Sequence, residues 1–258
     1  MVITMTTDLM YIIDGSFEGL LTSVFEAFKT RRFPAGVHAR QAFQQSLCAI
    51  PTIIMTDDQK AGRVRAGILK KLGSLVYEQV WMAYLSNDPE RYTKVFRYLA
   101  LAFRTGRSIA DRLAEPAVLD VFSLHRGVSR ELNKLMGFVR FSVMENGVQF
   151  SEITPENNQI PLLMPHFADR FPDIPFLLYD PRRGLAGIYD AKAWYLADAV
   201  GLTLPEYSKD ERAFRALWKA FYQAVAVPER KNPRLQMNFM PKRYWRNMTE
   251  MRPDGGMI

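Results

Sequence analysis

The chain has 258 residues, 48% of them hydrophobic and 12% aromatic, which is ample for a packed globular core of one large domain or two small ones. A formal net charge of +7 favours anionic partners, with nucleic acid first among them. One cysteine, Cys48, excludes an internal disulfide and any cluster held by several thiolates, and three scattered histidines lack the close pair spacing of a zinc site, so no metal and no cofactor are expected.

Leu9 to Ile13 is a short apolar run closed by Asp14-Gly15, after which Phe17, Leu20, Leu21, Val24, Phe25 and Phe28 recur at helical spacing. The reading is strand, turn, helix. The N-terminal stretch lacks a basic region followed by an unbroken apolar one, and no run approaches the length of a membrane span, so a soluble cytoplasmic protein is expected. A second apolar run, Pro51 to Met55, leads into Thr56-Asp57-Asp58-Gln59, where Thr56 can cap a helix and Gln59 can reach back to it. That helix, Asp57 to Leu72, is expected to bury Ala61, Val64, Ile68, Leu69 and Leu72 and to show Lys60, Arg63, Arg65, Lys70 and Lys71 to solvent.

Two more helices follow across Ser74 to Leu85 and Pro89 to Phe103, the second with a stripe of Tyr92, Val95, Phe96, Leu99 and Phe103. Pro116 opens another, through Val118, Val121, Phe122, Leu124, Val128, Leu132 and Leu135, that ends at Gly137. There the period changes from helical to alternating. Asn146-Gly147 is a hairpin signal, and a two-residue turn would set Val143 opposite Phe150. Phe176 to Asp180 and Leu185 to Asp190 flank Pro181-Arg182-Arg183-Gly184, and a strand within Ala191 to Ala199 completes an antiparallel meander. Ser208 to Glu211 is a capping box, opening a helix whose Phe214, Leu217, Trp218, Phe221 and Val225 are expected to face the core.

The fold class that results is α+β. A mostly helical N-terminal region, residues 1–136, packs against an antiparallel sheet, a long helix and a basic C-terminal segment in residues 137–258, the two forming one compact unit.

Chemistry is concentrated at the C-terminal end. From Pro228 to Arg252 seven cations face two glutamates, a net +5 of the chain's +7, and they are interleaved with Phe239, Tyr244 and Trp245. Cations that neutralise phosphates beside rings that stack on bases are the ingredients of nucleic-acid contact. The same pattern also serves solvated heads laid over an apolar surface. Arg234, Lys242, Arg243 and Arg246 are the candidate phosphate contacts, Tyr244 and Trp245 the stacking candidates, and Arg182 and Arg183 at a turn tip a second basic contact. No phosphate-binding loop, nucleophile elbow or zinc-protease helix is present. The best acid/base pair is His166 and Asp169, which share a helix face at i, i+3 and equally suit a buried hydrogen bond.

Three stretches, PHFADRFPDIPFLLYDPRRG, RKNPRLQMNFMPKRYW and TDDQKAGRV, are similar to those of an uncharacterised bacterial family of DNA metabolism proteins, a resemblance that spans nearly the whole chain. That family is associated with a radical-SAM protein and is sometimes fused to a domain related to uracil-DNA glycosylases, which implies a part in DNA repair or modification. A single cysteine excludes this chain as the radical enzyme, and it lacks stretches like the glycosylase motifs. The resemblance therefore implies an accessory protein that binds DNA and works with a partner enzyme of either kind. The alternatives are a nucleic-acid-processing enzyme using His166 and Asp169, and a protein–protein adapter whose basic tail docks an acidic partner.

Overall fold

A computed structural model describes residues 5–41, 43, 49–202 and 205–251. Cys48 and Arg252 lie outside them. The chain divides into two compact units, Met1–Ser129 and Arg130–Ile258, so the division falls inside a helix and not at the change of period near Gly137.

The first unit is built on a three-stranded parallel sheet. Strand β1 (Met5–Ile13) leads through Asp14-Gly15 into helix α1 (Phe17–Thr30), which returns the chain to β2 (Phe33–Ala39), and β3 (Ile50–Ile53) pairs with the other edge of β1. Ser16 caps α1 by accepting the Gly19 N–H at 2.9 Å. The inward side of α1, Phe17, Leu20, Leu21, Val24 and Ala27, is buried on the sheet.

Helix α2 (Asp58–Gly67) is capped differently from the expectation. Asp57 accepts the Lys60 N–H at 3.0 Å, while the Thr56 hydroxyl donates at 2.8 Å to Asp14 and so ties the turn after β3 to the turn after β1. A turn of π-helix over Ile68–Leu72 then breaks the helical phase. Ile68 and Leu72 stay buried and Leu69 is turned outward. Helices α3 (Ser74–Tyr84) and α4 (Arg91–Thr105) complete the packing, and the Thr93 hydroxyl of α4 both accepts the Val37 N–H and donates to the Val37 carbonyl, at 3.0 Å each, fastening α4 to β2. Helix α5 (Pro116–Phe138) adds Val118, Val121 and Leu124 to the first core and Leu135 to the second.

The second unit holds a five-stranded sheet in sequence order: β4 (Ser142–Val143), β5 (Gln149–Glu152), β6 (Phe176–Asp180), β7 (Leu185–Tyr189) and β8 (Trp194–Asp198). The meander β6-β7-β8 is antiparallel as expected, but β5 and β6 are parallel, because helix α6 (Ile160–Arg170) carries the chain back to the starting end. The sheet is therefore mixed. At the hairpin, Val143 faces Gln149 and Ser142 faces Phe150, one residue out of the expected register. The loop is a three-residue one, closed by Gly147 N–H to the Met144 carbonyl with Gly147 at φ +81°, and the extra residue shifts the pairing.

Helix α6 lies close on the sheet over Gly187, where a Cβ would sit 2.3 Å from Met164 Sδ. Ile160, Leu163, Met164, Phe167, Phe176, Leu178 and Tyr189 form the core there. Helices α7 (Lys209–Ala224) and α8 (Pro233–Phe239) follow, and two turns of tighter helix over Lys242–Asn247 and Thr249–Met251 end the described chain. The apolar stripe of α7 is not buried: Phe214 is 63% exposed and Leu217 70%. The helix is held instead by polar contacts. Glu211 accepts the Val143 N–H at 3.2 Å, Arg215 donates to the Ser142 hydroxyl at 2.8 Å, and the Trp218 indole donates to Glu250 at 3.2 Å.

Candidate nucleic-acid interface

The two basic stretches singled out in the sequence, some sixty positions apart, meet on one short loop of the second unit. That loop, residues 153–159, leaves β5 at Glu152 and enters α6. From the β6–β7 turn, Arg183 donates to the Pro155 carbonyl at 3.3 Å, to the Glu156 carbonyl, and to Asp180 at 2.7 Å. From the C-terminal segment, Arg243 pairs with the Glu156 carboxylate, Arg246 with Glu152 at 3.2 Å, and the Asn247 amide donates to the Thr154 hydroxyl at 3.2 Å.

Beneath the loop lies a carboxylate that the sequence reading missed. Glu131, on α5 and 4% exposed, accepts the backbone N–H groups of Glu156 at 2.8 Å and Asn157 at 2.9 Å, the Asn157 side-chain amide at 2.7 Å and the Tyr244 hydroxyl at 2.9 Å. Burial pushes the Glu131 carboxyl up, but the Asn157 and Glu156 N–H donors, joined by the Asn157 amide and Tyr244, outweigh it and hold the group below the usual carboxylate range. It is ionised and satisfied at neutral pH. Tyr244 is driven the other way, above the ordinary phenol range, by burial first and by the Glu131 charge second. A signal existed in the sequence: Glu131 stands three residues after Val128 and four before Leu135, on the apolar stripe of its helix, where an acid has to find donors.

This arrangement sorts the candidate residues. Tyr244 is no stacking platform; its ring is buried and its hydroxyl committed to Glu131. The Trp245 ring is half-buried, with its N–H on the Met240 carbonyl at 2.8 Å and the Lys242 ammonium 5.9 Å from its centroid. Arg183 and Arg243 are bound into the loop, and Arg246, more than half exposed, pairs with Glu152. Arg182 and Lys242 are exposed and have no carboxylate partner among the described residues, and Arg234 is exposed on α8. His166 and Asp169 are not brought together: no hydrogen bond or ion pair joins them among the described residues, Asp169 points to solvent, and His166 packs edge-on to Phe167 with its Nε2 buried and unbonded.

Residues 89–250 match the model of a family described as a domain of unknown function (DUF4130). The chain belongs to that family. The DUF4130 match takes in α4, the Glu131 centre, the Asp180–Arg183 turn and the C-terminal segment up to Glu250. No curated protein and no solved structure matches the chain. No helix among the described residues is long and apolar enough to cross a membrane.

Proposed function

We propose that this DUF4130 protein is an accessory protein of DNA metabolism or repair, which binds DNA at the surface where the β6–β7 turn and the Lys242–Asn247 segment meet and holds it for a partner enzyme. The convergence of Arg183, Arg243 and Arg246 on residues 152–156, with Arg182 and Lys242 next to them in the chain, supports this reading. Glu131, Glu152, Glu156 and Asp180 neutralise much of that charge and fix the Arg183, Arg243 and Arg246 guanidinium groups, while Arg182 and Lys242, without a carboxylate partner among the described residues, are left to meet phosphates. A radical-SAM or glycosylase-like enzyme is the partner that the resemblance suggests.

The test is a titration of duplex and single-stranded oligonucleotides against salt. With about two phosphates neutralised, log affinity falls against log salt with a slope near −1.8 on duplex DNA. Replacing Arg182 and Lys242 together by Glu disturbs no ion pair described above; it should weaken binding roughly tenfold or more and flatten the slope by about two. Unchanged affinity in that variant at low salt rejects the assignment.

A further inference from the structure

A second surface of the same unit has a different character. Between the C-terminal end of α7 and α8 lies an open groove of about 820 Å³, whose floor is Ala226, Val227, Leu235, Phe239 and Met251 and whose side is closed by Tyr222. Leu235 is 51% exposed and Phe239 71%, so the floor is open to solvent. Two cations, Arg230 and Lys231, line the groove, and among the described residues no carboxylate does. The groove is thus apolar below and positive at its rim.

We propose that this groove docks an acidic amphipathic helix of another protein. A helix laid in a groove presents apolar anchors at i, i+3, i+4 and i+7, and a volume of this size accepts two or three such side chains. Charge complementarity decides the polar face of the guest. The segment from residue 228 to 252 holds seven cations against two glutamates, and no carboxylate lines the groove among the described residues, so glutamates and aspartates flanking the anchors meet Arg230 and Lys231 while a basic helix is repelled. The floor argues against a nucleic-acid strand as the occupant. Successive bases need successive open aromatic faces, whereas four of the five floor residues, Ala226, Val227, Leu235 and Met251, are aliphatic or thioether and Phe239 is the one ring among them. This inference stands apart from the DNA surface, since none of Arg182, Lys242, Arg243 or Arg246 lines the groove.

The experiment uses the full chain and a fluorescein-labelled designed peptide of about 18 residues, ~27 Å of helix, with Leu and Phe along one stripe and Glu elsewhere. Controls are a scrambled peptide of identical composition and a version with Lys in place of Glu. Anisotropy should show the acidic amphipathic peptide binding at least roughly tenfold tighter than the scrambled one, and Leu235→Glu should weaken it by a similar factor. Arg230→Glu with Lys231→Glu should reverse the preference towards the Lys peptide, a result that charge alone without the groove does not give when the scrambled Lys peptide stays weak. Should Leu235→Glu lower the thermal midpoint, the charge-swap pair alone decides. Absence of binding, equal binding of the scrambled peptide, binding that survives the charge swap, displacement of the peptide by an oligothymidine, or a dimer that Leu235→Glu dissociates would each overturn the proposal.

Discussion

Helices α4 and α7 are nearly the same length, 15 and 16 residues, and both carry an apolar stripe, yet one buries it and the other does not. In α4 the stripe of Tyr92, Val95, Phe96 and Leu99 lies in the first core, while in α7 Phe214, Leu217, Phe221 and Val225 are all more than half exposed. The difference comes from what holds each helix. Helix α4 is packed on by α1, α3 and β2, with Thr93 bonded to Val37, whereas among the described residues α7 is fastened along Glu211, Arg215 and Trp218, about a quarter turn away from its stripe. A hydrophobic period therefore fixes which side chains share a face, and the elements packed on the helix decide whether that face is covered.

The largest effect expected separates the two helices directly. Phe96→Ala removes a ring that is 1% exposed and should cost about 3–5 kcal/mol, enough to take most of the stability of a domain of this size. Phe221→Ala, at 55% exposure, should stay within about 0.5 kcal/mol. Urea unfolding of both variants checks the pair. Comparable losses would mean that the α7 stripe is covered in solution and that the contrast fails.

The second effect tests polar anchoring at its most buried point. Glu131→Ala strips five groups of their acceptor, including two backbone N–H groups of the loop, and should cost about 3 kcal/mol. Glu131→Gln should not rescue it. Whichever way the amide is turned, its NH2 meets donors, because one carboxylate oxygen takes the Glu156 N–H and Tyr244 and the other takes Asn157 and Gln159. The folded-state carboxyl titrates below its unfolded value, so the stability it supplies is present above about pH 4.3 and drains away as pH falls through the folded value. Wild-type protein should accordingly lose stability more steeply than the Ala variant when denaturant midpoints are followed from neutrality into acid.

Much of this arrangement was legible. The period gave α4 and α5 to within two residues, Phe176 to Asp198 does form a meander, and half of the capping box forms: Ser208 accepts the Glu211 N–H at 3.1 Å, while the Glu211 carboxylate turns to the Val143 N–H and the Ser208 N–H to the Val143 carbonyl. What local pattern could not give were the pairings set by distant chain. β2 has Pro34 and Gly36 within it and reads as loop until β1 offers its free edge, and the parallel join of β5 to β6 depends on α6 crossing between them. The Glu131 centre was invisible for the same reason. Its donors come from residues 156–159 and 244, and only a stripe position held by an acid announced it. The basic stretches were found by composition, but composition could not tell that Tyr244 points inward and Lys242 outward.

The smallest effect concerns the hairpin, where one residue of loop decides which side chains share a face. Asn146-Gly147 reads as the centre of a two-residue turn, in which both residues take positive φ, yet only Gly147 does so among the described loop residues and Asn146 uses its side chain to accept the Val148 N–H at 3.1 Å. Gly147→Ala meets no neighbour within 4 Å, so its cost is backbone strain alone, about 1 kcal/mol at φ +81°. In the two-residue turn Asn146→Ala would cost as much, since position 146 would also be left-handed. The three-residue loop allows it only the loss of one exposed hydrogen bond, roughly 0.5 kcal/mol. Equal shifts in the denaturation midpoints of the two variants would restore the other register, with Val143 opposite Phe150; a loss for Gly147→Ala about twice that for Asn146→Ala keeps Val143 against Gln149, where its N–H and carbonyl are taken by Glu211 and Ser208 and fasten α7 to the sheet edge.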